Sequence, residues 1–214
     1  GGIFQIQSGH NMVTTASWNI NVGNSQIEIL DGGVLQANNI VSLPVGGTFT
    51  VRNGGTYIHN NTTAFATSIY QGSVVFEPTS TVEYRNTAST APTVSTYGNL
   101  RILANASGTL NFNGALTLIQ GNLTFVNGGS RTIIFQGNSG APSSCDILGN
   151  LVVEGGNITL LNDAFGFTLS VNGDFTQSGG SFTLHINSGD VVAFFQLNGD
   201  FSATAGSFNL AMLV

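Results

Sequence analysis

The sequence predicts an all-β fold, a β-solenoid of about nine coils with roughly 22–28 residues in each coil and almost no helix. Three observations support this prediction: a short signature that returns along the chain, strand-length segments with period-two alternation, and a composition poor in charge and in helix formers. A solenoid stacks one structural unit on copies of itself, so its core grows with chain length.

The recurring signature is a glycine followed by Asn or Asp and then by Leu or Phe. Consecutive copies are 23, 28, 24 and 26 residues apart, which is typical of stacked coils. Because Gly and Asn both tolerate positive φ, each copy predicts a corner between two strands. The five copies are Gly98-Asn99-Leu100, Gly121-Asn122-Leu123, Gly149-Asn150-Leu151, Gly173-Asp174-Phe175 and Gly199-Asp200-Phe201.

The last two copies belong to the longest match between coils. The Asn-Gly-Asp-Phe and Gly-Ser-Phe motifs of residues 172–184 recur 26 residues later, in residues 198–210. Within this unit Phe182 and Leu184 alternate with polar residues, which predicts a strand with one buried face. Two phenylalanine pairs fall in register and predict internal ladders of stacked rings: Phe175 with Phe201, and Phe182 with Phe208.

The composition excludes several classes of protein. Of the 214 residues, 10 are Asp or Glu and 4 are Lys or Arg, for a net charge of -6. The basic residues are scattered, which argues against nucleic acid binding, and no apolar run is long enough for a membrane span. Cys145 is the only cysteine, so it forms no internal disulfide. The basic residues are Arg52, Arg85, Arg101 and Arg131.

The chain is predicted to be one continuous β-solenoid over residues 1–214. The most regular coils are expected at 98–210, where the signature recurs. Residues 59–97 are expected to form looser coils with projecting loops, because turn residues cluster there without a fixed spacing. Residues 46–59 contain two Gly-Gly-Thr strands joined by an Asn-Gly-Gly corner.

Part of the sequence resembles the repeat of very large secreted surface proteins of Bacteroidota. Those proteins combine a Thr-Val-Glu-Tyr strand, a loop, a Tyr-Gly-Asn-Leu strand and further coils with Gly-Asn-Leu or Gly-Asp-Phe corners. The resemblance covers roughly residues 46–210. It is carried by Thr81-Val82-Glu83-Tyr84, Tyr97-Gly98-Asn99-Leu100, Gly108-Thr109-Leu110 and Gly121-Asn122-Leu123.

The resemblance implies a right-handed parallel β-helix that is exported to the cell exterior, commonly through type IX secretion. It implies an adhesive or structural role at the cell surface. It transfers no catalytic residue and no cofactor, because the shared motif is architectural.

The residues themselves favour a non-enzymatic protein without metal or cofactor. Catalytic β-helices need acidic residues gathered on one strand face. Here Asp174 and Asp200 occupy a corner position that holds Asn in other coils, so we interpret them as turn-forming side chains. His10, His59 and His185 are separated by whole coils, with no Cys or acidic partner at metal-binding spacing.

The densest polar cluster surrounds Glu83. Glu83 and Arg85 share the outward face of one strand, which predicts a surface ion pair worth under about 1 kcal/mol. Tyrosines nearby could form a glycan-binding surface, or could lie partly buried under loops. The candidate contact residues for a glycan or protein partner are Tyr57, Tyr70, Glu83, Tyr84, Arg85 and Tyr97.

Three hypotheses for the function remain open. The first is an extracellular, non-enzymatic structural or adhesive segment of a larger surface protein or assembly. The second is a carbohydrate-binding or polysaccharide-cleaving β-helix, and the third is a filament subunit stacked end to end. Both terminal segments, 1–6 and 207–214, are apolar, so we expect neighbouring coils or subunits to cover them, with surface glycans as another partner.

Overall fold

A computed structural model describes residues 1–62, 72–86, 93–103, 108–126, 131–137, 140–162, 164–185 and 192–209. Within these residues the chain forms 25 β-strands, β1 to β25 in chain order, and no helix. The pairs from first to last coil are all parallel, which confirms the predicted all-β solenoid.

One sheet of nine strands runs along the whole molecule, and we call it the long sheet. Each of its strands pairs with the equivalent strand of the next coil. Its strands are β2 (Asn11–Thr14), β5 (Val34–Ala37), β8 (Thr56–His59), β10 (Thr81–Tyr84), β12 (Asn99–Leu103), β15 (Leu123–Val126), β18 (Leu151–Val153), β21 (Phe175–Gln177) and β24 (Phe201–Ala203).

Two flanking sheets deliver the chain into the long sheet. The N-flank sheet consists of β1 (Ile3–Ile6), β4 (Gln26–Ile29), β7 (Thr48–Val51) and β9 (Ser73–Phe76). The C-flank sheet consists of β11 (Thr96–Tyr97), β14 (Leu118–Ile119), β17 (Ser143–Ile147), β20 (Phe167–Val171) and β23 (Ala193–Leu197).

The chain leaves the long sheet through a third side. In the carboxy-terminal half this side is the exit sheet, with β13 (Thr109–Asn111), β16 (Thr132–Gln136), β19 (Asn157–Leu161), β22 (Ser181–His185) and β25 (Ser207–Asn209). In the amino-terminal half it is a single pair, β3 (Trp18–Asn19) with β6 (Val41–Ser42).

The number of full turns is lower than predicted. Among the described residues, coils with strands on all three sides number about seven, against the nine coils expected from the sequence. The coils that begin with β7 and β9 have two strands each among the described residues, which do not include 63–71 and 87–92.

Rows of apolar side chains fill the interior. Tyr57, Val82, Leu100 and Leu123 stand one above the next along the long sheet and are fully buried. The two predicted phenylalanine ladders are confirmed: ring centroids lie 5.0 Å apart between Phe175 and Phe201 and 5.4 Å apart between Phe182 and Phe208. Each fully buried side chain of this size contributes roughly 1.5–3 kcal/mol.

The corners that lead into the long sheet change type halfway along. In the amino-terminal half each is a four-residue turn closed by a backbone hydrogen bond, as from the Gly33 N–H to the Leu30 carbonyl (2.9 Å). Gly32 at the third position has φ +69°, which explains the glycine. In the carboxy-terminal half the corner is the shorter Gly-Asn or Gly-Asp signature. We call the junction between β9–β10 and β11–β12 the seam.

We predict that Gly149→Ala destabilises the protein by about 2 kcal/mol or more, since overpacking a tight contact forces the backbone to shift. A Cβ at this position would lie 2.5 Å from Asn122 Oδ1 and 2.6 Å from the Gly121 carbonyl oxygen. Urea unfolding measures the change. Gly23→Ala is the matched control, because the nearest atom to its added Cβ is 4.0 Å away. Equal unfolding midpoints for the two variants would contradict the packing argument.

Candidate functional site

The acidic corner residues belong to a ladder of hydrogen bonds that we call the corner ladder. In four of the five corner residues, the side-chain Oδ1 accepts the backbone N–H of the equivalent residue in the next coil. The four bonds run from Asn122 N to Asn99 Oδ1 (2.9 Å), from Asn150 N to Asn122 Oδ1 (2.8 Å), from Asp174 N to Asn150 Oδ1 (2.8 Å) and from Asp200 N to Asp174 Oδ1 (2.9 Å).

The corner ladder explains why Asn and Asp replace one another. Only Oδ1 takes part, and an amide and a carboxylate both provide that acceptor. The structure therefore supports the interpretation of Asp174 as a turn-forming side chain, and Asp200 occupies the equivalent corner, where its backbone N–H donates to Asp174 Oδ1. It also explains the preceding glycine, since a Cβ at Gly173 would lie 2.2 Å from Asn150 Oδ1.

The tyrosine prediction is wrong for the three described residues. Tyr57, Tyr84 and Tyr97 are fully buried, so their rings offer no surface to a glycan or protein partner. The fourth tyrosine, Tyr70, lies outside the described residues. Strand alternation carries the correct signal, because in Thr81–Tyr84 the tyrosine shares the inward side with Val82, opposite Glu83.

Hydrogen bonds inside the core explain why these phenols do not need solvent. Tyr57 Oη lies 3.1 Å from His59 Nδ1, and Tyr84 Oη lies 3.0 Å from Tyr97 Oη. His59 is itself fully buried and packs edge-on against Tyr84. Burial raises the pKa of the Tyr57 phenol far above its ordinary range. These residues form a polar cluster within the core and stabilise its packing.

Glu83 and Arg85 do form the predicted ion pair. Glu83 Oε1 lies 2.5 Å from Arg85 Nε, and its Oε2 lies 3.0 Å from Arg101 Nε on the next strand. Arg85 also reaches back to Gln36 Oε1 at 3.2 Å. This outward row joins side chains of different coils, so its first role is to hold neighbouring strands together.

A second ion-pair network, on the N-flank side, surrounds Arg52. Its guanidinium pairs with Glu28 of β4 and with Glu77 at 2.7 Å. Hydrogen bonds from Gln5 and then from Arg52 lower the pKa of Glu28. The pKa of Glu77 is also lowered, first by Arg52 and then by the Asn53 N–H.

The part of the chain that the structure describes contains neither a metal-binding cluster nor an exposed thiol. No three His, Cys, Asp or Glu side chains are grouped there to hold a metal ion. Cys145 is buried, and burial followed by the charge of Asp146 raises the pKa of its thiol well above the ordinary range.

An open groove in the described surface lies at the seam. We call it the seam groove; it has a volume of about 580 Å³ and lies between β9 and the segment 93–96. Phe76 is one of its lining residues, and the ring of Phe76 stacks on that of Tyr97 with centroids 5.1 Å apart. The groove opens toward Ser73 and Thr93, both exposed. Among the described residues, Glu77 is the only charged one that lines it.

Sequence reasoning missed the seam groove, although one signal was present. The step from Glu83 to Arg101, adjacent on the long sheet, is only 18 residues. Corresponding steps elsewhere reach 28 residues, as between Asn122 and Asn150. A short step at the point where the Gly-Gly corners give way to Gly-Asn corners indicates that one side of the coil is interrupted.

Comparisons of the chain with protein families, with curated proteins and with solved structures gave no match. The described part of the chain contains no helix with the length and apolar character to cross a membrane.

We predict that Asn122→Asp changes the free energy of unfolding by less than about 0.5 kcal/mol, whereas Asn122→Leu costs about 1 kcal/mol. Aspartate keeps the acceptor for the Asn150 N–H, and leucine removes it. Urea denaturation at neutral pH measures both variants. If aspartate were as damaging as leucine, the amide nitrogen and not Oδ1 would carry the contact.

We also predict that Arg52→Gln makes the free energy of unfolding depend less on pH under acidic conditions. Because the native pKa values of Glu28 and Glu77 lie below the ordinary value of about 4.3, their stabilisation is present above that pH and is lost as the pH falls through the lowered values. Without Arg52 this dependence shrinks between about pH 5 and pH 3.

Urea unfolding across this pH range tests the prediction, with Asp200→Asn as the control that leaves the Arg52 network intact. An unchanged pH slope in Arg52→Gln would show that the network does not stabilise the native state.

Proposed function

We propose that this chain is a non-enzymatic, extracellular β-solenoid segment that serves as a rigid structural or adhesive spacer. The observation that carries the proposal is the corner ladder, because the Asp174 carboxylate, which could suggest chemistry, holds its coil to the next one by accepting the Asp200 N–H. Glu28, Glu77 and Glu83 likewise engage arginines of neighbouring coils or strands.

The geometry suits a spacer. One uninterrupted sheet of nine strands joins the first coil to the last. At about 4.8 Å for each step between strands, eight steps give a length of roughly 40 Å. Parallel pairing at every step resists bending, since each coil is hydrogen-bonded to both neighbours.

Further coils, from the same polypeptide or from another subunit, are the partners that we propose. Inward-facing Phe4 on β1 is 40% exposed, and inward-facing Phe201 on β24 is 51% exposed. A coil stacked on either would bury that ring as Phe175 is buried within the structure.

The cell-surface location and type IX export rest on the sequence resemblance. We do not extend the proposal to a glycan-binding surface built from tyrosines, because Tyr57, Tyr84 and Tyr97 lie in the core.

Spin labels test the rigid spacer. With Cys145→Ala as background, labels at Val13→Cys and Ser202→Cys lie at the two ends of one outward row of the long sheet. Pulsed electron paramagnetic resonance should give one narrow distance distribution near 40 Å, from eight strand steps of about 4.8 Å. A broad or multimodal distribution would contradict rigidity.

Two further measurements address activity and location. Incubation with a panel of polysaccharides should release no reducing ends or unsaturated sugars, and sustained turnover would overturn the non-enzymatic proposal.

Antibodies against the chain should label intact cells that produce it. Labelling only after permeabilisation would overturn the proposed location.

A further inference from the structure

The seam groove separates two sheet edges that would otherwise pair. In the sheet order, β9 is the last strand of the N-flank sheet and β11 is the first strand of the C-flank sheet. The strands that follow them, β10 and β12, pair directly in the long sheet. Two consecutive coils are therefore joined on one side and separated on the other, among the described residues.

Both walls of the groove direct main-chain groups into it. The Ser73 and Glu77 N–H groups donate to Gly47 and Val51 on the β7 side, at 2.9 and 3.0 Å. Alternate residues of a parallel strand point to opposite neighbours, so the N–H and C=O of Val74 face the groove.

The opposite wall follows the same rule. The Ser95 carbonyl accepts the Leu118 N–H at 3.0 Å, and the Tyr97 carbonyl accepts the Gln120 N–H at 2.9 Å. Both carbonyls therefore face β14, and the N–H and C=O of Thr96 between them face the groove. Edges of this kind are templates for another strand.

We propose that the seam groove binds an extended, uncharged peptide segment of another polypeptide as an added β-strand. Main-chain hydrogen bonds to the Val74 and Thr96 walls would supply the affinity. This binding role goes beyond the spacer function and does not depend on it.

The size and the chemistry of the groove fit such a segment. A strand residue occupies a block of about 3.3 by 4.8 by 10 Å, so the groove of about 580 Å³ accommodates roughly three to four residues. Half-buried Val74 and Val94 lie beside exposed Ser73 and Ser95, an alternation that matches the two faces of a strand.

Charge and ring placement favour a neutral peptide over an acidic ligand or a sugar. The carboxylate of Glu77 already accepts Arg52 Nη1 at 2.7 Å and the Asn53 N–H at 2.8 Å. None of the described basic residues lines the groove to receive an anion. Phe76 and Tyr97 are buried and stacked against each other, so this pair presents no exposed ring for a sugar to stack on.

The test uses the full chain and a fluorescein-labelled, uncharged heptapeptide of alternating threonine and valine, measured by fluorescence anisotropy. We expect saturable binding. Ser95→Trp, which fills the groove, should weaken it at least tenfold, and Val74→Pro should also weaken it by removing one wall donor. Ser202→Trp on the outer face of β24 is the matched control and should bind as the unmodified chain does. Circular dichroism establishes that each variant is folded.

A second probe tests the main-chain contacts. The same heptapeptide with N-methyl groups on alternate residues loses the donors that face one wall, so it should bind at least tenfold more weakly. Absence of saturable binding, equal binding by Ser95→Trp and Ser202→Trp, or undiminished binding of the N-methylated peptide would each overturn the proposal. Displacement of the peptide by a neutral oligosaccharide would overturn it in favour of a sugar site. None of these outcomes affects the distance measurement that tests the spacer.

Discussion

The hydrogen bond from a corner backbone N–H to the Oδ1 of the previous corner residue determines which residues can occupy the corners in the carboxy-terminal half of this protein. It explains why Asn or Asp follows the glycine, because both provide an acceptor oxygen at the δ position of the side chain. It also fixes the glycine, because the accepting side chain occupies the space that a Cβ would need. Loop length between corners can then vary, provided that each coil returns to the same ladder.

The amino-terminal half closes its corners and links its neighbouring coils in another way. Its corners are closed by backbone bonds within each turn, and coils are linked through backbone contacts such as that from the Gly32 N–H to the Gly54 carbonyl (3.2 Å). Ion pairs through Arg52 and Arg101 add cross-coil contacts near the change of corner. At the seam, where the two types of corner meet, the N-flank sheet does not pair with the C-flank sheet, and the seam groove lies between them.

Much of the fold can be predicted because its determinants repeat. The Gly-Asn signature identifies the corners, and the shift of 26 residues suffices to place Phe175 over Phe201. The glycan-surface alternative for the tyrosines fails, because Tyr84 and Tyr97 hydrogen-bond to each other in the core. For the seam groove the residue pattern offers only the short step from Glu83 to Arg101, because the groove itself depends on which strand edges meet in space.

Hydrogen–deuterium exchange at the corner amides tests the central claim most directly. The residues Asn122, Asn150 and Asp174 lie at exposed corners, where an amide without an acceptor would exchange rapidly. If the corner ladder holds the coils together, their N–H groups are protected to nearly the same extent as the neighbouring strand amides of the long sheet. Exchange at the rate of an unstructured peptide at these positions would contradict the account.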